Sequence, residues 1–244
     1  MSGHSKWHNI QKTKGAQDAK RASMFTKISK EMIVAVKEGG SADPANNSRL
    51  ATVITKARAA NMPNDNIKRV LEKASGAGSG DSYETNTYEG YGPSGVAVII
   101  ETMTDSRNRT ASNMRHYLDK YGKGMGASGC VAWSFDKKGV FVIDNEDGDY
   151  DEDTVMMDSL DAGAADFTAE GDCFEIYTDP DDFNAVAAAL EGKGYKFVSA
   201  QVEMVPQNYQ KLESEEDIKS MEKLLDALED DDDVQNVWHN WDRD

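Results

Sequence analysis

The hydrophobic pattern of the chain changes at a glycine-rich segment, Gly76–Gly80 (GAGSG), and this change constrains the fold more than any other feature. Before the segment, apolar residues recur at helical spacing. After it, apolar runs of strand length alternate with helical stretches. Because segments rich in glycine and serine form flexible linkers, we predict a helical part on one side and mixed α/β parts on the other.

Three short amphipathic helices are predicted on the N-terminal side. Residues 1–22 have almost no apolar periodicity and are interpreted as a basic arm that becomes helical near Ala16. The first helix then runs to Gly39-Gly40, the second spans 45–60, and the third has Asn64 as its predicted N-cap. Helices this short cannot bury their apolar stripes alone, so we expect them to pack together as a bundle.

Beyond the linker the pattern is mixed. Val96–Ile100 (VAVII) predicts a strand buried on both faces, and residues 107–121 predict a helix. A glycine-rich loop at Gly122–Gly129 leads into a predicted strand at Cys130–Phe135. Residues 136–205 then give the order β-α-β-β-α-β, which is typical of a ferredoxin-like domain.

One more helix and strand follow at the C-terminus, and we expect them to complete the α/β part that begins after the linker. The fold class is therefore α+β: an N-terminal three-helix bundle followed by two α/β, ferredoxin-like domains, one inserted in the other. The predicted domains are the basic arm and helical bundle at 1–78, a discontinuous α/β domain at 79–135 plus 206–244, and the inserted ferredoxin-like domain at 136–205.

The formal net charge of −17 is divided very unevenly along the chain. Residues 1–80 carry 14 Lys or Arg and 6 Asp or Glu, a balance of +8, whereas residues 81–244 carry 13 basic and 38 acidic residues, a balance of −25. A basic part retained in an acidic protein indicates an anionic partner. We therefore predict that nucleic acid binds at the N-terminal side, as ribosomal RNA, tRNA or promoter DNA.

The candidate contacts of the N-terminal side are its basic residues and one tryptophan, namely Lys6, Trp7, Lys12, Lys14, Lys20, Arg21, Lys27, Lys30, Arg49, Lys56, Arg58, Lys68 and Arg69. The lysines and arginines are suited to phosphates, and Trp7 is suited to stacking on a base. The alternative is a solvated tail with Trp7 packed against the bundle.

A second candidate site is the segment Thr104–Thr110 (TDSRNRT), between the buried strand and the following helix. The N–H groups of a helix N-terminus, together with Arg107, Asn108 and Arg109, are suited to a phosphate or a carboxylate. The alternative is that Asp105 or Ser106 caps the helix and that the arginines pair with nearby acids.

Other classes of site have little support in the sequence. His4 and His8 have a spacing that suits a shared metal on a helix, but no further ligand cluster accompanies them, so we predict no metal site. The sequence contains no protease, hydrolase or phosphate-loop motif, which predicts a protein that is not an enzyme and has no catalytic residues, cofactor or small-molecule substrate. Asp230–Asp233 (DDDD) is interpreted as a solvated turn.

The cellular compartment is predicted from apolar content and cysteine usage. No apolar run approaches the length of a membrane span, and the polar, basic N-terminus is unlike a secretory signal. Cys130 and Cys173 form no C-x-x-C pair, which favours a reducing cytoplasm. We therefore expect a cytoplasmic protein without a membrane partner.

Several separate motifs, in order along essentially the whole chain, resemble the YebC/PmpR family: Ser2–Trp7, Lys14–Arg21, Phe25–Lys27, Asn61–Pro63, Tyr88–Gly95 and Asp105–Thr110. The resemblance implies three domains, a helical bundle and two α/β domains with one inserted in the other. It implies a DNA-binding transcriptional regulator or, like a mitochondrial relative that activates translation of a cytochrome oxidase subunit, a translation factor. Other bacterial members resemble ribosome-associated factors that relieve stalling at consecutive prolines.

The sequence does not distinguish DNA from RNA or the ribosome as the target. A DNA operator is usually read by a recognition helix rich in side chains suited to base edges, and the second and third bundle helices offer few of these. Spread basic contacts, an arm and glycine-rich loops favour RNA or the ribosome. Two other hypotheses for the function are a protein-interaction module that uses the acidic α/β domains and an enzyme with an anion site at 104–110.

Overall fold

A computed structural model describes residues 18–76 and 83–243. Seven α-helices lie in these ranges: α1 Asp18–Gly39, α2 Ser48–Ala59, α3 Asn64–Ser75, α4 Arg107–Tyr121, α5 Glu152–Asp161, α6 Phe183–Gly192 and α7 Glu215–Glu229. The strands of the same ranges are β1 Glu84–Tyr91, β2 Ala97–Thr104, β3 Gly124–Met125, β4 Phe135–Asp144, β5 Asp166–Glu170, β6 Cys173–Thr178, β7 Ser199–Pro206, β8 Gln210–Lys211, β9 Val234–His239 and β10 Trp241–Asp242.

The described residues fall into two compact units. Unit 1 takes those of Met1–Ser79 together with Lys137–Glu203, and unit 2 takes those of Gly80–Asp136 together with Met204–Asp244. Unit 1 contains the three-helix bundle and an α/β part, and unit 2 contains a second α/β part. The mixed α+β class predicted from the sequence is therefore confirmed.

The bundle of unit 1 is built around the apolar stripes of α1, α2 and α3. Ile28 and Met32 of α1 pack with Leu50 and Ile54 of α2 and with Ile67 of α3, and Met32 and Leu50 are fully buried. These are positions of the helical periodicity in the sequence. Burial of such side chains against each other stabilises helices that would be marginal alone.

Asn47 fixes the connection between α1 and α2. Its Oδ1 accepts a hydrogen bond from Leu50 N at 3.0 Å and caps α2, while its Nδ2 donates to Ala35 O and Ser41 O, both at 2.8 Å. Asn47 is buried, and a Cβ on Gly39 would lie only 2.3 Å from Asn47 Nδ2. The glycine therefore makes room for the side chain that joins the two helices.

The α/β part of unit 1 has the four-stranded order β5-β6-β4-β7, with α5 and α6 supplying one side of its core. β6 pairs antiparallel with both β4 and β5. Phe141 of β4 stacks on Phe183 of α6 with ring centroids 4.6 Å apart. Asn184 of α6 donates to Ser48 O at 3.2 Å, which connects this part to the start of α2.

Unit 2 contains an antiparallel sheet of order β3-β1-β2-β9, which brings the C-terminal strand β9 beside the central strand β2. Every residue of β2 except Glu101 is buried. On one side of the sheet, Met114 and Leu118 of α4 pack with Met221 and Leu224 of α7. The continuous apolar run of β2 therefore corresponds to a strand covered on both faces.

Two local expectations differ from the structure. The residues at Ala132–Ser134 form a 3-10 turn and not a strand, and the following strand begins at Phe135. Pro63, without a side-chain cap bond, occupies the N-cap of α3, and Asn64 is the first helical residue. Proline is compatible with this position because its φ of −59° lies at the value that the ring fixes and the N-cap N–H makes no intrahelical bond. Residues 77–80 of the expected linker and the arm up to residue 17 lie outside the described residues.

Candidate nucleic-acid interface

The predicted basic contacts of the bundle occupy different environments. Lys6, Trp7, Lys12 and Lys14 lie outside the described residues, and Lys20 lies in the first turn of α1. Lys27 and Lys30, further along α1, are partly buried. The exposed members of the set are Arg21, Arg49, Arg58, Lys68 and Arg69.

Two of the predicted contacts form ion pairs between α2 and α1. Lys56 Nζ lies 2.7 Å from Glu31 Oε1, and the two side chains are only 17% and 13% exposed. Arg49 pairs with Glu38, but both of these side chains are about half exposed. Because a shielded pair is far less available to a ligand than a solvated one, we assign Lys56 to bundle packing and leave it out of the contact surface.

The turn between α2 and α3 holds the exposed basic residues in a fixed arrangement. Asn61 adopts a left-handed φ of 57°, and its N–H donates to Arg58 O at 2.9 Å. Met62 N donates to Ala57 O at 2.9 Å, which completes a Schellman motif. Arg58 therefore lies at the end of α2, directly before a tight turn into the helix that carries Lys68 and Arg69.

The two arginines of the second predicted site differ in their ion pairs. Arg109 donates to Asp105 Oδ1 at 2.9 Å and to Asp233 Oδ2 at 2.7 Å, and these bonds raise its pKa. Arg107 and Asn108 are exposed, and Arg107 makes no ion pair with any described residue. The predicted alternative of pairing with acids thus applies to Arg109 and not to Arg107.

Asp233 is the acceptor around which this segment is organised. It is 7% exposed, and its Oδ2 also accepts from Thr104 Oγ1 at 3.1 Å and Thr110 Oγ1 at 2.9 Å. Burial alone would raise the pKa of Asp233, but the bonds from Arg109, Thr110 and Thr104 outweigh burial and hold it below its usual value. The carboxylate therefore ties the end of β2 and the start of α4 to the turn before β9.

The acidic run before β9 is thus not the solvated turn that the sequence indicated. Asp233 is buried, and Asp231 Oδ2 accepts from Asn113 Nδ2 and Tyr117 Oη, both at 3.2 Å. Asp230 and Asp232 are exposed. Two of the four carboxylates, those of Asp231 and Asp233, therefore bind α4.

Neither predicted capping side chain bonds to the start of α4. Ser106 occupies the N-cap position but makes no side-chain cap bond, and its N–H donates to Thr104 Oγ1 at 2.9 Å. Asp105 pairs with Arg109 instead. Arg107 and Asn108 therefore stand in the first turn of a helix whose N-terminal N–H groups have no side-chain acceptor from the cap.

Glu89 is a buried residue that the sequence analysis did not single out for a role. Its carboxylate accepts from three backbone N–H groups: Gly129 at 2.6 Å, Val131 at 2.8 Å and Ala132 at 2.9 Å. Burial works to raise the pKa of Glu89, but these three bonds outweigh it and lower the pKa. The glycine-rich loop is consequently held from inside by one carboxylate, and only the motif Tyr88–Gly95 signalled this residue in the sequence.

Metal-ligand clusters and membrane-spanning helices are two features that would indicate other kinds of function. Across residues 18–76 and 83–243, no three His, Cys, Asp or Glu side chains are grouped as metal ligands; His4 and His8 lie outside these ranges. In the same part of the chain, no helix combines the length and the apolar character needed to cross a membrane.

Comparison with known proteins gives matches along the whole chain. A family model described as "TACO1/YebC protein N-terminal domain" matches residues 5–77, and one described as "TACO1/YebC second and third domain" matches residues 83–241. The crystal structure of a conserved hypothetical protein from Aquifex aeolicus is similar with a TM-score of 0.81 and 38% identity, covering 92% of this chain and 91% of that one.

Curated relatives are more similar still. A protein of Ruminiclostridium cellulolyticum is 56% identical over 244 residues, covering 100% of this chain and 98% of the relative. One of Finegoldia magna is 54% identical over 242 residues, covering 99% of each. Both are named "Probable transcriptional regulatory protein". With both family models matched in order and relatives aligned from end to end, the chain belongs to the TACO1/YebC family.

Proposed function

We propose that this protein is a non-enzymatic cytoplasmic regulator of gene expression that binds nucleic acid through its basic arm and bundle. The observation that carries the proposal is the exposed basic set on the bundle: Arg58 at the end of α2 and Lys68 and Arg69 on α3, held by the turn at Asn61. Exposed guanidinium and ammonium groups on a rigid support neutralise phosphates with little ordering cost. The regulatory names of the relatives support the same role.

The N-terminal turn of α4 is proposed as a second contact. Arg107 and Asn108 are exposed there, whereas Arg109 is held by Asp105 and Asp233. We therefore keep Arg107 and Asn108 as proposed phosphate contacts and assign Arg109 to positioning the turn. The arm residues Lys6, Trp7, Lys12 and Lys14 and the α1 residues Lys20, Arg21, Lys27 and Lys30 remain part of the proposal.

Structured RNA, such as ribosomal RNA or tRNA on the ribosome, is the target that the exposed bundle surface favours. On α3 the exposed Lys68 and Arg69 lie between the acidic Asp65 and Glu72, so the exposed basic surface is narrow and is suited to a few phosphate contacts. Reading of base edges in a DNA groove relies on clustered Arg, Asn and Gln side chains instead. Promoter DNA is the second candidate, and the names of the relatives favour it.

We further propose that the chain works as three parts: the arm and bundle at 1–78, a discontinuous α/β domain at 79–135 plus 206–244, and an inserted domain at 136–205. The pairing of β9 with β2 supports the discontinuous part. The strong negative charge of the two α/β parts would orient the protein by keeping them away from phosphate.

The test is a salt titration of binding by the full chain, with labelled duplex DNA and purified ribosomes as separate probes. If about six phosphates are neutralised, affinity falls by roughly 10³ between 50 and 200 mM salt. Replacing Lys68 and Arg69 by Ala is expected to reduce the logarithmic salt slope by about 2. Lys219→Ala on α7 is the matched control, because it removes an exposed lysine from the acidic part.

The outcomes separate the candidates. Salt-dependent binding to ribosomes that exceeds binding to duplex DNA supports the RNA proposal. Protection of a defined promoter, with the protein absent from ribosomes at low salt, supports the DNA candidate. Affinity that does not change with salt for either probe contradicts the phosphate-contact proposal altogether.

A further inference from the structure

Two exposed aromatic side chains of unit 2, Tyr91 and Trp133, are attached to one backbone oxygen. Trp133 is 74% exposed and Tyr91 is 37% exposed. Trp133 Nε1 donates to Cys130 O at 2.9 Å, and Tyr91 Oη donates to the same oxygen at 3.2 Å. The polar ends of both rings are therefore fixed at a single atom, while most of the indole remains open to solvent.

The chain around Trp133 is rigid although the side chain is exposed. Trp133 lies in a 3-10 turn between Val131 and Phe135, both of which are buried in the core beside β2. Ser134 Oγ closes the turn by donating to Val131 O at 2.7 Å. The Glu89 carboxylate holds the preceding loop through its bonds to Gly129, Val131 and Ala132. An indole that a hydrogen-bonded backbone holds in water is available to stack on a planar partner.

The chemistry that remains available on the two rings is that of their π faces. The indole N–H and the phenol O–H are both used by Cys130 O, so the rings offer planar apolar contact and not directed hydrogen bonds. A planar ligand is therefore suited to them. Tyr91 and Trp133 are the exposed large hydrophobic side chains among the described residues of unit 2, whereas each partner of a typical protein–protein interface buries roughly 800 Å².

An exposed lysine is joined to this pair through the backbone: Lys123 N donates to Tyr91 O at 2.8 Å, and the Lys123 side chain is exposed. The Glu89 carboxylate, two residues before Tyr91, is buried and bound by backbone N–H groups, so its charge is largely compensated. Exposed aromatic rings on the same stretch of backbone as an exposed lysine match a base together with its phosphate.

We propose that Tyr91 and Trp133 form a stacking site for an unpaired nucleobase, with Lys123 meeting an adjoining phosphate. The site extends the proposed function, on which it rests, because it assigns a single-stranded or flipped-out nucleotide as the ligand of unit 2. Bases inside a duplex are stacked on their neighbours and do not offer their faces to a protein side chain. The exposed bundle surface and this site would then bind different features of one nucleic acid.

The test compares binding of a labelled ten-nucleotide oligouridylate and of a ten-base-pair RNA duplex by the full chain. Trp133→Ala is expected to weaken single-strand affinity by about 5-fold to 100-fold without changing the salt slope, since stacking neutralises no phosphate. Trp133→Tyr restores most of the affinity because a ring is retained. Lys123→Ala is expected to reduce the slope by about 1.

Two controls keep the result specific. Met157→Ala removes an exposed apolar side chain of unit 1, since Met157 is 59% exposed, and should leave affinity unchanged. The thermal midpoint of Trp133→Ala should equal that of the parent, because little of the ring is buried. Quenching of tryptophan emission by the oligonucleotide should be weaker in Trp133→Ala than in the parent.

Three results would overturn the stacking site, and they differ in what they say about the proposed function. If Trp133→Ala binds the oligonucleotide as the parent does, while salt-dependent binding of ribosomes or DNA persists, only the stacking site is wrong. If the variant loses a protein partner but no oligonucleotide affinity, the pair is a protein-binding surface. If the parent binds neither oligonucleotide, ribosomes nor DNA, the proposed function fails together with the site.

Discussion

Arg109 and Asp233 lie 124 positions apart in the chain, yet Arg109 donates to Asp233 Oδ2 at 2.7 Å. The pair joins the first turn of α4 to the turn before β9. It also distinguishes two exposed arginines that look equivalent in the sequence, because Arg109 is bound to Asp105 and Asp233 and Arg107 makes no ion pair with a described residue.

Asp233→Asn is expected to lower the free energy of unfolding by about 2 kcal/mol, because Arg109, Thr104 and Thr110 lose a charged acceptor at a buried position. Urea denaturation measures the change. Asp230→Asn, three positions earlier and exposed, is the matched control and should stay within about 0.5 kcal/mol of the parent. Equal stability of the two variants would show that the network contributes nothing.

Glu89→Gln is expected to release the glycine-rich loop. The neutral amide is a weaker acceptor than the carboxylate for the N–H groups of Gly129, Val131 and Ala132, so we expect a loss of about 2 kcal/mol and faster hydrogen exchange at these amides. Glu84→Gln on the same strand is exposed and serves as the control. Unchanged exchange at the three amides would contradict the role given to Glu89.

The lowered pKa of Glu89 also predicts how the free energy of unfolding changes with pH. A carboxyl group whose pKa is lower in the folded state than in the unfolded state stabilises the fold above its unfolded pKa. This contribution is lost as the pH falls through the folded value. Glu89→Gln should therefore reduce the acid dependence of stability below about pH 4.5, and an acid dependence identical to that of the parent would contradict it.

Asn47→Ala is expected to cost about 2 to 3 kcal/mol. The variant loses the cap of α2 and leaves the carbonyls of Ala35 and Ser41 without their amide donor. Asn46→Ala, at the exposed neighbouring position, is the control. Thermal unfolding of the two variants checks the difference, and similar midpoints would refute the bridging role of Asn47.

The buried His239 predicts a second change of the free energy of unfolding with pH, at a higher pH than the change that Glu89 causes. Burial, with a smaller contribution from Arg243, lowers its pKa to about 4 from the ordinary 6.5. Because the unfolded state takes up this proton first, stability should fall by up to about 3 kcal/mol between pH 6.5 and pH 4. His239→Gln should flatten this part of the curve. A parent stability that stays constant over this interval would contradict the prediction.

The sequence predicted those features that depend on near neighbours in the chain. The stripes of α1 and α2 and the apolar run of β2 are visible as periodicity, because side chains three or four apart in a helix, or consecutive in a covered strand, meet the same environment. Asn47 and Glu89 gave no such signal. Their partners are chosen by the tertiary fold: Val131, for example, is 42 positions from Glu89.

Dependence on tertiary contacts also explains why the sequence did not predict the burial of Asp233 in the acidic run before β9. Four consecutive aspartates are typical of a solvated turn, and nothing in their spacing distinguishes Asp233 from Asp230. Asp233 differs from Asp230 because it accepts hydrogen bonds from the hydroxyls of Thr104 and Thr110 and from the guanidinium of Arg109. The pairing of β9 with β2 brings Asp233 to these groups. The sequence thus placed Arg107 and Arg109 at the start of a helix, but it did not show which of the two pairs with Asp105 and Asp233.

The pairing of β9 with β2 also imposes an order on biosynthesis. Strand β2 leaves the ribosome well before the residues that cover its free edge, Val234–His239, because the segment Lys137–Glu203 and helix α7 are translated between them. Until then, the nascent chain carries an unsatisfied, strongly apolar strand edge, the kind of surface on which chains associate wrongly. The inserted segment is complete before that point. A premature stop just before β9 would therefore leave unit 1 able to form and unit 2 exposed to aggregation and proteolysis.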